Sequence, residues 1–259
     1  MAYTTIDDPT AFFQTVTYTG NGATGRSITL PSDTDMQPDW VWLKSRGEAE
    51  HHQLTDSVRG VNKQLYSHLP YAQASETDRI TAFNSDGFTI QDDIIVNKNT
   101  IEFVAWNWKA GTSFTNDASS TSVGDIDSSG SVNTDAGFSI IKATSDGAAN
   151  KDIAHGLGAV PDVIFAKNLE RGYNWDCYFK TLGYNASLQL NSTAAVRTGV
   201  WGSNTFTTTT FESGENYSSK SGEAYIYYCF AEKQGYSKFG KHVGNGNADG
   251  TSIYTGFKP

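Results

Sequence analysis

The chain has 259 residues, 19 basic against 28 acidic side chains, a formal net charge of −9 and 37% hydrophobic residues. That length buries a substantial core in one large domain or two modest ones. The acidic balance excludes a sequence-independent grip on DNA or RNA, which needs a basic surface. No basic-then-apolar leader and no run of 18 apolar residues reads as a secretory signal or a membrane span.

In chain order, an arm of residues 1–12 precedes short runs rich in β-branched and aromatic residues. These are QTVTYTG (14–20), RSITL (26–30), DWVWLKS (39–45), HQLTDS (52–57), KQLYSH (63–68), RITAF (79–83), GFTI (87–90) and TIEFVAWNWK (100–109). Turn signals separate them, among them Gly20-Asn21-Gly22 and Ser85-Asp86-Gly87. Strands every ten or so residues with polar turns between them predict a sandwich or barrel. Residues 71–78 hold at most one or two helical turns. Cys177 and Cys229 fall in runs that read as buried strands, so free core thiols are expected rather than a bridge.

The order then repeats. PDWVWLKS (38–45) returns as PDVIFAKN (161–168), an offset of 123 that also pairs Gly60 with Gly183, Leu65 with Leu188, Phe83 with Phe206 and Phe88 with Phe211. FVAWNW (103–108) falls on YIYYCF (225–230), and FQTVTYT (13–19) on FSIIKAT (138–144). One spacing kept through a whole module is the signature of an internal repeat. The expected fold is all-β: two tandem antiparallel β-sandwich modules from a duplication, residues 13–110 and 138–234. The Ser, Thr, Asp and Gly-rich residues 111–137 read as a flexible linker, with room for a short strand around Val123, Ile126 and Val132. Residues 235–259, where Gly244-Asn245-Gly246 echoes Gly20-Asn21-Gly22, read as added edge strands or as the start of a third module in a longer protein.

Two tryptophans within FVAWNW raise the choice between a sugar-stacking platform and a packed strand. Val104, Trp106 and Trp108 share one strand face and become Ile226, Tyr228 and Phe230 in the second copy. Bulk is kept while chemistry changes, which predicts that this face is core.

No nucleophile elbow, zinc helix, phosphate loop or dinucleotide fingerprint occurs, and no catalytic, metal-binding or cofactor-binding residue is assigned. His51 and His52, adjacent in a strand, would point to opposite faces and make a poor chelating pair. Asp56 and Arg59 read as an ion pair that stabilises a turn. Residues 245–250 resemble the start of a calcium loop, but its twelfth position is Gly256, so a turn is favoured. Tyr71, Tyr173, Trp175 and Trp201, in predicted loops, are the candidate ligand contacts, with a packing role favoured for each.

TYTGNG, PDWVWLKSR, LTDSVRG, FNSDGFTI and FVAWNWKAG, followed by AHGLGAVPDVIFAKN, LQLNSTAA, YIYYCFAEKQGYSKFG and VGNGNADGTSIYTGFKP, carry a resemblance across nearly the whole chain. It resembles a repeated module of tailed-phage virion structural proteins, tail and tail-fibre proteins among them, common in marine phages. The resemblance implies a lectin-like or jelly-roll sandwich on a virion assembled in the bacterial host cytoplasm. The expected function is a non-enzymatic tail fibre, spike or surface appendage serving assembly and host-surface adhesion. Other virion proteins, further copies of the chain, a trimer among the options, and a host surface glycan would be its partners, with no nucleic acid, no membrane insertion and no cofactor. A glycan-degrading depolymerase, which would need two carboxylates roughly 5–10 Å apart, and a glycan-binding lectin are the alternatives.

Overall fold

Side chains of β-branched and aromatic residues at alternate positions, with glycine and polar turns between, leave the chain few options besides paired short strands. In the computed structural model, which describes residues 4–202, 206–214 and 220–257, the chain is almost wholly β and its strand pairs are antiparallel. The first half contains β1 (Phe13–Thr19), β2 (Arg26–Thr29), β3 (Trp40–Ser45), β4 (Gln53–Asp56), β5 (Lys63–Gln64), β6 (Ala74–Ser75), β7 (Ile80–Asn84), β8 (Gly87–Ile90) and β9 (Glu102–Trp108). Then come β10 (Thr112–Asn116), β11 (Ser128–Asn133), β12 (Phe138–Thr144), β13 (Lys151–Ala154), β14 (Val163–Asn168) and β15 (Asp176–Phe179). The last four are β16 (Ala186–Gln189), β17 (Arg197–Thr198), β18 (Thr210–Ser213) and β19 (Ala224–Phe230).

Among the described residues, four sheet layers enclose three apolar cores. Sheet β2-β8-β7 packs on one face of sheet β1-β9-β3-β4, with Ile28, Phe88 and Ile90 against Val41, Leu43 and Phe103. The other face of that four-stranded sheet meets the large sheet β10-β11-β12-β19-β14-β15-β16-β17, where Trp40 and Leu54 pack with Phe138, Ile140, Trp175 and Tyr228. The far face of the large sheet buries Ile141, Ile164, Tyr178 and Tyr227 against Ile153 and Phe211 of the pair β13-β18. β19 is buried on both faces, which is why AYIYYCF reads as a continuous apolar run rather than an alternation.

Pairing recurs between the halves. The order β1-β9-β3-β4 is matched by β12-β19-β14-β15, and β2-β8 by β13-β18. Lys44 Nζ donates to the carbonyls of Ser45 and Glu48, and Lys167 Nζ to those of Asn168 and Arg171, 123 positions on. Asp39 accepts from the N–H of Ala110 and the hydroxyl of Ser57; Asp162 accepts from the N–H of Glu232 and the ammonium of Lys180. Gly60 and Gly183 both take a left-handed φ, 101° and 97°, which glycine adopts without steric cost.

Several expectations need correction. The segment read as a flexible linker supplies β10 and β11, which continue the large sheet; Phe114, Ile126 and Val132 from it pack on the second half's core. Strands need only backbone pairing at a sheet edge, so a polar composition does not prevent them. Within β9, Phe103, Ala105 and Asn107 are fully buried toward the core inside the first half; on the opposite face Trp108 is half-buried against the core shared with the large sheet, where Ile226 and Tyr228 of the second copy are fully buried, while Val104 and Trp106 are half-buried outside it. The Asn107 amide nitrogen donates to the carbonyls of Gln14 and Ala105, each at 3.1 Å, which offsets part of the cost of burying it. Residues 71–78 contain the short strand β6 and no helix. In the arm, Ile6 is buried and Thr4 donates to the Gln234 carbonyl. Both cysteines are buried free thiols, and Pro259 lies outside the described residues.

His155 gives the second half a specific acid sensitivity. It is buried, its Nδ1 accepts from the Leu157 N–H at 3.1 Å, and its Nε2 faces the Thr207 carbonyl at 3.3 Å, which fixes a neutral tautomer. Burial pushes its pKa down to about 4. A depressed histidine pKa contributes stability above the unfolded value near 6.5, and that contribution is lost as pH falls from there toward about 4. Urea unfolding at pH 7 and pH 4 should therefore show a pH-linked loss of roughly 2–3 kcal/mol that is absent from His155→Gln.

Candidate functional site

The first half gathers seven rings into one unbroken ridge. β3 and β9 place Trp42 opposite Trp106, with ring centroids 6.3 Å apart and edge to face. Trp42 Nε1 donates to His52 Nδ1 at 2.9 Å. His52 lies 5.3 Å from the His68 ring, and His68 lies 5.0 Å from His51, their Nε2 and Nδ1 atoms 2.9 Å apart. The chain continues through Tyr66, 5.4 Å from His51, to Tyr71, 6.2 Å further on.

Local pairing builds this ridge. The Leu54–Leu65 bridge, with N–H to carbonyl bonds of 2.9 and 3.0 Å, sets the antiparallel register that lays residues 51 and 52 beside residues 66–68. The Lys44 ammonium closes the preceding turn. Arg79 fastens the inner side, donating to Gln53 Oε1 at 2.9 Å and Tyr66 Oη at 3.0 Å while it pairs with Asp93. Burial pushes the His52 pKa down to about 4, helped by His68 and Lys44; burial, then His51 and Lys44, lowers that of His68. Near pH 7 both are neutral imidazoles that present flat faces and hydrogen-bonding nitrogens.

Such a surface suits a ligand with an apolar face and a hydroxylated rim, because aromatic faces stack on the one while ring nitrogens bond the other. Of the candidate contacts, Tyr71 is 55% exposed at the end of the ridge, and Tyr173 is half-buried in the loop that faces it. Trp175 and Trp201 are interior. Trp175 donates to the Tyr66 carbonyl at 2.8 Å from within the core shared by the halves, and Trp201 packs against Tyr178, Phe206 and Phe211. Their packing role is the one found: residues 169–175 are clamped onto the first half, where the Gln73 N–H bonds the Leu169 carbonyl at 2.9 Å, and Trp201 is bridged to Ser213.

The three clustered histidines contradict the expectation of opposite faces, because residues 51 and 52 precede β4 and lie outside any strand. The usable sequence signal was the pair of runs HHQLTD and KQLYSH, whose leucines align the histidines once paired. Among the described residues, no three His, Cys, Asp or Glu side chains have metal-binding geometry. The Asp56 and Arg59 side chains are buried and brace the turn as expected, with the Arg59 N–H on Asp56 Oδ1 at 2.8 Å, and because both also bond Tyr228 the ion pair is a fastener between the halves as well.

Trp106 tests how the ridge relates to stability. It is half-buried and outside the apolar clusters, so Trp106→Ala should cost about 1–2 kcal/mol by urea unfolding, well under the 3–5 kcal/mol of a fully interior tryptophan.

Residues 8–259 match the family described as "Domain of unknown function (DUF7483)". No curated protein and no solved structure matches the chain.

Proposed function

Since the chain belongs to the DUF7483 family, whose description leaves its function open, we propose that it is a structural component of a tailed-phage virion, a tail fibre, spike or surface appendage that also adheres to host glycans. The motifs that resemble virion modules support this reading. So does the recurrence of the same lysine clamp, aspartate bracket and strand order in both halves, which fits one jelly-roll-like unit duplicated in tandem. The observation that carries it is the shared aromatic core between two units of like plan, an arrangement that makes a stiff building block. Its charges serve as fasteners: the half-buried Lys44 and the buried Lys167 close turns, and the Asp56–Arg59 pair ties one half to the other. Adhesion rests on the ridge from Trp106 to Tyr71.

Mass spectrometry of banded particles from the encoding virus should find the chain in multiple copies, and its absence from particles overturns the virion assignment. On a glycan array and in host-cell adsorption, the double variant Trp42→Ala, Trp106→Ala should lose about tenfold in affinity while remaining folded. Blank arrays and no adsorption by the native chain remove the adhesive part. Release of reducing sugar from host envelope glycans would move the reading to a depolymerase.

A further inference from the structure

Edge strands invite pairing, and proteins ordinarily blunt them with charge, proline or a bulge. β1 does none of these. Its sequence FQTVTYT has no charged residue and no proline, and its register with β9 runs unbroken from Phe13 to Thr19. β9 is its only strand partner among the described residues. Lys109 N–H bonds the Phe12 carbonyl and Gly20 N–H bonds the Ile101 carbonyl, so the even-numbered residues face β9 and Phe13, Thr15 and Thr17 turn their peptide groups outward. Thr15 and Thr17 are exposed. In the second half the matching strand, β12, has this same edge covered by β11, and β11 in turn by β10.

The C-terminal segment has the opposite deficiency. Residues 240–254 are exposed throughout and belong to no strand. Val243 at 86%, Ile253 at 59% and Tyr254 at 82% make up three of the six exposed large hydrophobic side chains among the described residues. Within this segment residues 251–255, TSIYT, have strand composition without charge or proline. They fold back locally, with Thr251 Oγ1 on the Val243 carbonyl and the Lys238 ammonium 5.9 Å from the Tyr254 ring centre, and leave the chain's own β1 edge bare.

We propose that residues 251–255 of one copy add as a strand to the outer edge of β1 in a second copy, linking chains head to tail. The molecule already contains the precedent, because β11 occupies the equivalent edge of β12. An edge and a strand donor are different surfaces of the chain, so their pairing is a heterologous contact, which extends into a filament or closes into a ring according to the rotation between copies.

Sedimentation velocity on the full chain tests this with two point variants. Thr15→Pro removes an outward N–H and no bond to β9; Ile253→Pro spoils the donor strand at an exposed position. Each alone should weaken association by at least about tenfold with an unchanged melting temperature. Mixed, they should form a 1:1 dimer that grows no further, because the first retains its donor and the second its edge. Thr15→Lys serves if the proline variant does not fold. A native chain that stays monomeric at about 100 μM, a single variant that associates like the native chain, or a mixture that does not pair each overturns the proposal. Loss of association on Thr15→Pro but not on Ile253→Pro would show that the edge takes a second β1 instead.

Discussion

Arg59→Met should lower the unfolding free energy by about 3–5 kcal/mol, the usual cost of removing one partner from a buried ion pair. Arg59 Nε lies 2.5 Å from Asp56 Oδ2, and their side chains are 1% and 0% exposed. The same Oδ2 accepts the Tyr228 hydroxyl at 2.6 Å, and the guanidinium also donates to the Leu54 carbonyl at 3.0 Å. Without the guanidinium, the Asp56 carboxylate is left in the space between the halves with the tyrosine hydroxyl and the backbone N–H of position 59 as its neutral donors. Burial holds the Tyr228 phenol well above its ordinary value, so it donates and does not ionise. Asp56→Asn should cost a similar amount from the other side. A double variant that replaces both charges by apolar groups should recover much of the loss, because the penalty belongs to the unpaired charge. Urea unfolding of the four proteins measures this, and an Arg59→Met loss under 1 kcal/mol would show that water reaches the pair.

Trp40→Ala should be comparably damaging, at about 3–5 kcal/mol. Its ring is 1% exposed and stacks on Tyr228 at 4.3 Å and 16°, with Trp108 at 4.5 Å and Phe138 at 5.9 Å. One side chain from β3 therefore touches rings of its own sheet and of the sheet beyond. A single cooperative transition should persist in the native chain, whereas Trp40→Ala should separate the melting of the two halves in calorimetry. A variant that melts at the native temperature in one transition would place the coupling elsewhere.

Much of the strand pattern was legible, because alternation and turn chemistry act over a few residues. QTVTYT, RSIT, GFTI and EFVAWNW all form strands at those places. The parity of FVAWNW was not. Bulk alone assigned Trp106 and Trp108 to a core inside the first half, whereas the small Ala105 and Asn107, whose amide nitrogen donates to the Gln14 carbonyl, face it and the tryptophans turn toward a second sheet. Sequence distance hides that sheet: Tyr228 is 172 positions from the aspartate it bonds. The histidine ridge was missed for a related reason, since a register fixed by Leu54 and Leu65 brings His51 to His68. Trp175 looked accessible because its loop is polar, yet tertiary contact covers it.

The aromatic layer between the halves also bears on ancestry. The faces that meet there occupy corresponding places in each unit, Trp108 answering Phe230 and Phe13 answering Phe138, all four bordering one groove. On the reading that the halves are copies, a lone unit with this face would have been a self-complementary dimer, dissolving on dilution. Joining two in one polypeptide makes that encounter intramolecular, so the pair holds at any concentration and the face closes on itself. Growth beyond the pair must then use rims rather than faces.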